Sequence, residues 1–438
     1  MITSETIDNP AATSRGTTGS IVIIGVMFFI FGFVTWINSI LIPYFKIACE
    51  LSHFQSYLVA FAFYISYLVM SMPAALLLKK VGFKRGMMFG FFIMSAGALL
   101  FIPAAYTRTY VVFLTGLFTI GTGLAVLQTA SNPYVTILGP IERAAQRMSI
   151  MGICNKTAGI IAPLLFAAVI LKSTDAELFK QLPLMSATDR AVALDELIRR
   201  VIVPYACVGI VLFGLGLFIR YSPLPEIDTE TESEELAVAN AEKTSILHFP
   251  HLVLGAVAIF FHVGSQVIAI DTVIGYAGSM NMSLLEAKGF PAYILFMTIC
   301  GYVVGIITIP RFIRQVNALR ICTGLGLLLS LGIIFSHGEV NVLGHRSDVS
   351  LWFLVSLGLA NSLVWAGIWP LALDRLGRFT KAGASLLIMG LCGNAIMPLI
   401  YGYLADAFTL RQAYWVLVPC YLYLLFYAVY GHTLKRWR

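Results

Sequence analysis

Apolar runs long enough to cross a bilayer, about 20 residues each, recur along the chain between short polar turns. They fall near 19–42, 57–78, 86–105, 109–133, 148–171 and 201–221, then near 250–274, 289–310, 317–336, 350–373, 383–405 and 412–432. The pattern predicts an all-α polytopic membrane protein with twelve transmembrane helices in two six-helix bundles. Two hydrophilic stretches interrupt it. Segment 172–200 mixes both charges and predicts an outer loop with a short helix around Ala187–Arg200. Segment 223–247 carries Glu226, Asp228, Glu230, Glu232, Glu234 and Glu235 and reads as an acidic cytoplasmic linker. The chain thus divides into a disordered cytoplasmic tail (1–18), an N-terminal bundle (19–222), the linker (223–247) and a C-terminal bundle (248–438).

Composition agrees: 59% of residues are hydrophobic and 12% charged, far from a soluble globular profile. The net charge of +7 reflects orientation, because Lys and Arg collect in alternate turns. Lys79, Lys80, Lys84 and Arg85 form one cluster, Arg143 and Arg147 another. Arg311, Arg314 and Arg320, then Arg375, Arg378 and Lys381, and the tail Lys435, Arg436 and Arg438 follow on the same side. By the positive-inside rule that side, with both termini, is expected to be cytoplasmic. A soluble basic face of the kind nucleic acid requires is absent from this pattern. The first twenty residues lack a signal-cleavage signature, and the cysteines show no metal-ligand or pairing spacing and read as small apolar packers. Leu76–Gly86 and Ile307–Gln315, each followed by a Gly-rich helix, resemble one another. Two structural repeats of this kind place a transporter's substrate site near the midplane between halves.

The candidate chemistry lies in polar residues at membrane depth, where an unpaired amide or hydroxyl costs several kcal/mol. Gln128 and Asn132, four apart, share one side of the fourth helix, and Pro133 follows them. Asn38 is an amide in an almost wholly apolar first helix. Asn155 adjoins Lys156 in the fifth, where Lys156 either faces the cavity or snorkels to the basic end. The seventh helix carries Gln266, Asp271 and Thr272; at about 100° per residue, Gln266 and Asp271 are about 140° apart, so they meet only if the helix bends. Asn361, Trp365 and Trp369 gather on one face of the tenth helix, an arrangement that suits a sugar's hydroxyls and C–H face. Asn394 lies between Gly393 and Pro398 in the eleventh. Amides outnumber charges in this set, which favours a neutral polyol over an ionic substrate. His53, His262, His337 and His345 are scattered without the spacing a membrane enzyme would need.

Phe28–Phe33, Asn38–Pro43 and, most specifically, Leu127–Pro140 resemble the fucose–proton symporter family of the major facilitator superfamily, especially its bacterial glucose/galactose branch. The resemblance runs from about Ile21 to the last helix, including Tyr401–Asp406. It implies the major facilitator fold, alternating access, and uptake of a monosaccharide driven by a cation gradient across a bacterial inner membrane. It also implies that Asn155 lies at the sugar cavity and that Gln266 matches a glutamine of the seventh helix. The first-helix aspartate and fourth-helix glutamate of the fucose symporter fall on Ser39 and Gln128, which cannot carry a proton. Asp271 matches an aspartate of the glucose/galactose branch.

The resulting expectation is a monomeric hexose symporter with no cofactor beyond its coupling cation, Na⁺ ahead of H⁺. The sugar-binding set is Asn38, Gln128, Asn132, Asn155, Gln266, Asn361, Trp365 and Asn394. Asp271, Thr272 and Lys156 are the ion-coupling candidates, with Na⁺ near Asp271. Lys79, Arg85, Arg143 and Arg147 of one half, with Asp374, Arg375 and Arg378 of the other, are expected to form a cytoplasmic gate. A fucose or N-acetylhexosamine carrier, proton-coupled or facilitative, and a non-transporting sugar sensor are the alternatives.

Overall fold

The computed structural model describes residues 14–51, 53–138, 140–170, 172, 175, 178, 181–224, 240, 243–282, 284–287 and 289–437. The tail before Ser14 and most of the acidic linker lie outside this set. Helix α1 (Ser14–Ala48) already begins ahead of the first apolar run. Next come α2 (His53–Leu99), α3 (Phe101–Thr107), α4 (Tyr110–Ile137), α5 (Ala144–Ile170), α6 (Ala187–Arg199) and α7 (Ile202–Tyr221). The second half contains α8 (Pro250–Gly278), α9 (Phe290–Thr308), α10 (Gln315–Phe335), a hairpin of β1 (Glu339–Val342) and β2 (His345–Asp348), and α11 (Val349–Ala372). It ends with α12 (Thr380–Met389), α13 (Gly393–Ala407), α14 (Leu410–Ala413) and α15 (Leu417–Val429).

Among the described residues, 11 helical segments are long and apolar enough to cross a membrane. The longest turns back at Gly82, whose φ of 80° and ψ of 175° interrupt α2 within the lysine-rich turn. A glycine tolerates that backbone where a side chain would be strained. This segment therefore supplies two crossings and the total is twelve. Crossings eleven and twelve each run through a short 3₁₀ turn, Gly390–Cys392 and Tyr414–Val416. The apolar core runs through both halves, and large side chains such as Val22, Leu164, Ile210 and Phe312 are exposed on the outside, as a lipid-facing perimeter requires.

Ion pairs concentrate at the end opposite the basic turns. In the first half, Arg200 holds Asp175 at 2.7 Å, with the two side chains 13% and 3% exposed. Helix α6 lies beside this pair, buries Leu194, Leu197 and Ile198, and starts at Ser186, whose side chain accepts from the Asp189 N–H. Tyr44 of α1 donates to the Leu197 carbonyl and so ties α6 to the bundle. In the second half, the β-hairpin delivers Asp348 to the start of α11, where it accepts from the Ser350 N–H at 2.9 Å. Arg411 pairs with Asp348 at 2.7 Å and also donates to the Tyr276 hydroxyl and the Ser336 carbonyl. One guanidinium thus joins α8, α10, α11 and α14.

Burial pushes the Asp348 carboxyl upward, but the Ser350 hydrogen bonds and the Arg411 guanidinium outweigh it and hold the group at about 2. A folded value below the unfolded one, about 3.9, gives stability that is present above about pH 4 and lost as pH falls towards 2. Thermal melting of the purified protein is expected to drop more steeply over that window in the wild type than in Asp348→Asn. Parallel melting curves for the two proteins would exclude this role.

Candidate functional site: a polar cavity between the two halves

Between the halves lies a cavity of about 120 Å³. A single water needs roughly 10–15 Å³, so the space admits a small ligand rather than one or two waters. Its first wall is Phe28, Phe31, Thr35 and Trp36 of α1, Tyr64 and Tyr67 of α2, Gln128 of α4, and Met148, Gly152, Asn155 and Lys156 of α5. The facing wall is His262, Val263, Gln266 and Val267 of α8, Tyr302 of α9, Trp365 of α11, Leu391 and Asn394. None of these residues is a carboxylate.

Local packing sets the polar groups in place. Gln128 donates to the Tyr67 hydroxyl at 3.1 Å, which leaves its carbonyl oxygen as an acceptor. Asn155 donates to the Phe28 carbonyl at 3.3 Å. The two helices involved meet at Gly32, where a Cβ would run into the Asn155 backbone carbonyl. Lys156 is 7% exposed; its ammonium donates to the Gln266 side-chain oxygen at 2.9 Å and lies 5.3 Å from the centre of the Trp36 ring, within cation–π range. The snorkelling alternative for Lys156 therefore does not describe this structure. The Trp365 ring lies 6.5 Å from His262 and 5.6 Å from Trp369, giving the second wall an aromatic face.

Of the eight residues expected to bind sugar, five line the cavity: Gln128, Asn155, Gln266, Trp365 and Asn394. Asn132 does not line it; it is buried and donates to the Gln128 backbone carbonyl at 2.9 Å, bracing the α4 turn. Asn361 is buried and accepts from the Tyr421 hydroxyl at 2.9 Å, which ties α11 to α15. The side chain of Asn38 lies outside the described residues.

Helix α8 runs unbroken from Pro250 to Gly278, so Asp271 does not join Gln266 on the cavity wall. Asp271 is exposed, further along α8 from the basic end, and within electrostatic reach of cavity-lining Tyr64. Thr272 turns away, its hydroxyl shared with the Ile268 carbonyl and the Tyr414 hydroxyl at 2.7 Å each. No group of three His, Cys, Asp or Glu capable of holding a metal occurs among the described residues.

Of the charged residues expected to gate the basic end, Arg147 and Asp374 bond within their own halves and Arg375 and Arg378 meet the end of the linker. Arg147 donates to the carbonyls of Val135, Thr136 and Pro140, meeting the need of the last α4 carbonyls for donors. Asp374 pairs with Lys435 at 2.7 Å, the Arg375 carbonyl accepts from Asn240, and Arg378 donates to the Lys243 carbonyl. Lys79, Arg85 and Arg143 are exposed. Contacts between halves at this end are made by other residues. Gln146 donates to the Ile306 carbonyl at 2.8 Å, and the Ala145 N–H donates to Gln315 at 3.3 Å. Ser385 meets the Met72 sulfur at 3.3 Å, and the Lys381 ammonium lies 5.5 Å from the Phe83 ring centre.

Sequence reasoning did not select Trp36, Tyr64, Tyr67, His262 or Tyr302 for the cavity. An available signal was the spacing of Tyr64 and Tyr67, three apart and hence on one helix face; aromatic residues are otherwise too common here to stand out.

A bundle pair enclosing a central polar cavity is the architecture of a carrier, and the sequence profile of the Major Facilitator Superfamily matches residues 24–390. The chain belongs to that superfamily of transporters, not to an enzyme class. Within it, the chain is a member of the fucose–proton symporter family. It is 31% identical to the glucose/galactose transporter of Brucella abortus, over 98% of this chain and 99% of that one. It is 28% identical to the L-fucose-proton symporter of Escherichia coli, over 92% and 90% of the two chains. A crystal structure of the E. coli fucose:proton symporter superposes with a TM-score of 0.79 at 26% identity, covering 94% of this chain and 98% of that one.

At Gly152 of α5, a Cβ would collide with the Tyr302 ring of α9, so this glycine sets how closely the halves approach. Gly152→Val is expected to wedge them apart and to raise thiol labelling of a cysteine introduced at Ile306. Unchanged labelling with normal folding would show that the contact does not hold this side closed.

Proposed function

We propose that the protein imports a neutral hexose of the glucose/galactose type by cation symport, with Na⁺ favoured over H⁺. The observation that carries this reading is the cavity itself: amides and aromatic faces from both halves, with no carboxylate in the wall. The names of the Brucella and Escherichia relatives support a sugar as cargo. Gln128, Asn155, Gln266 and Asn394 offer hydrogen bonds to hydroxyls, and Trp365 offers a surface for the C–H face of the ring. Sugar and ion act by binding unequally to the inward and outward states, since only differential affinity shifts such an equilibrium.

The contacts between halves at the basic end, with Asp271 exposed beyond Gln266, support an outward-facing state. In this proposal the basic end and both termini face the cytoplasm of a bacterial inner membrane, and the carrier works as a monomer. Ser39 and Gln128 stand where the fucose symporter has acids, which supports a coupling ion other than a proton. Asp271 is the favoured carboxylate for Na⁺, with oxygens other than the Thr272 hydroxyl completing the shell. The likeness to a fucose–proton symporter supports a second reading, a proton-coupled fucose carrier.

Uptake into sealed vesicles tests both. An inward Na⁺ gradient is expected to drive glucose or galactose accumulation, and Asp271→Asn to abolish the Na⁺ dependence while sugar exchange continues. Accumulation that ignores Na⁺ and follows pH alone would overturn Na⁺ coupling; absence of any sugar movement would leave a sensor as the better description. Losing one hydrogen bond costs about 0.5–1.5 kcal/mol, so Gln128→Ala and Asn155→Ala should each weaken sugar binding roughly threefold to tenfold. Wild-type affinity in both would refute the cavity assignment.

A further inference from the structure

Lys156 is the full charge in the cavity wall, and its setting is unusual. A lysine ammonium has three donors and no acceptor, and burying one ordinarily calls for a carboxylate, carbonyls or water. Among the described residues its hydrogen-bond partner is the neutral Gln266 at 2.9 Å; the Trp36 ring lies 5.3 Å away, and His262 of the facing wall is within electrostatic reach. Lys156 belongs to the first half and Gln266 to the second, so this bond crosses the plane along which the halves must move. It also occupies two of the groups that a sugar would use.

Resting on the sugar reading above, we propose that the Lys156–Gln266 bond is a latch between the halves that a sugar hydroxyl opens. The hydroxyl oxygen replaces Gln266 as the acceptor for the ammonium, and the freed Gln266 amide takes a second hydroxyl. The exchange calls for a cargo with two neighbouring hydroxyls at this point of the ring. The exchange trades one charge-assisted bond for another of the same kind. Removing Lys156 therefore abolishes both the bond broken and the bond made, and sugar affinity changes little. What is lost is the movement of the ammonium relative to Trp36.

Equilibrium binding and tryptophan emission of the purified full-length protein separate this exchange from a static role. The probes are D-glucose, D-galactose, L-fucose, N-acetyl-D-glucosamine and D-glucuronate. In the wild type, a bound sugar is expected to change the emission, and the part that disappears in Trp36→Phe reports on Trp36. Lys156→Met should bind the same sugar within about threefold of the wild type, the residual of two similar hydrogen bonds exchanged, yet lack the Trp36 part of the response. Lys156→Gln, which keeps a polar side chain there, should behave likewise and guards against a folding defect.

A loss of affinity beyond tenfold in both variants overturns the latch in favour of a fixed contact. A retained Trp36 response overturns it as well. Glucuronate binding more than tenfold tighter than any neutral sugar would show that the ammonium awaits an anion. A wild type that binds none of the five overturns the sugar reading and the latch together, whereas failure of the latch alone leaves wild-type sugar binding intact.

Discussion

Hydrocarbon offers no hydrogen bonds, so a polar side chain in this protein's interior is either bonded by protein, in which case it is packing, or faces a cavity, in which case it is available to cargo. Asn132 and Asn361 belong to the packing, each through one end of its amide, to the Gln128 backbone carbonyl of the same helix and to the Tyr421 hydroxyl. Gln128, Asn155 and Gln266 are intermediate. Each engages one end of its amide with protein, through Tyr67, Phe28 and Lys156 respectively, and each lines the cavity. A half-engaged amide is held in orientation by its protein bond, so less side-chain entropy is lost when cargo binds.

The fold was readable from the sequence because its signal is long-range and redundant. Twelve apolar runs, alternation of basic turns and one acidic break all point to two six-helix halves, and the α6 helix stands where a short helix is expected within the hydrophilic 172–200 segment. The site was partly readable. Membrane depth identifies a polar residue as anomalous but not the direction it faces, and direction depends on helix rotation, which neighbouring helices decide. Asn361 illustrates this: its spacing with Trp365 groups them on one face, yet the amide reaches across to α15 while the indole lines the cavity. Asp271 illustrates the converse, since a straight α8 keeps it about 140° of helical rotation from Gln266. The aromatic lining was the least legible part, because 13% of the chain is Phe, Trp or Tyr and most such rings are core.

Ion pairs and movement are separated among the described residues of this architecture. The strong ion pairs, Arg200 with Asp175 and Arg411 with Asp348, join elements inside one half. The interface between halves relies on glutamine amides, backbone carbonyls, a thioether and two lysines, one over a ring and one bonded to a neutral amide, with no ion pair among the described contacts. Breaking a partly buried ion pair leaves an uncompensated charge, at a cost of several kcal/mol. Neutral hydrogen bonds exchange with water at about 1 kcal/mol net each. An interface that must open and close in every cycle is better built from the second kind, and a half that must move as one body from the first.

The same reasoning accounts for what sits at the centre. A carboxylate beside Lys156 would form an ion pair across the moving plane and hold the halves together against cargo and rocking alike. Gln266 supplies an acceptor oxygen at the same distance without a charge, so the contact can be surrendered to any neutral oxygen that arrives with comparable geometry. Burying a lysine against a glutamine rather than a carboxylate therefore leaves the one full charge among the described residues of the cavity wall free to exchange its partner.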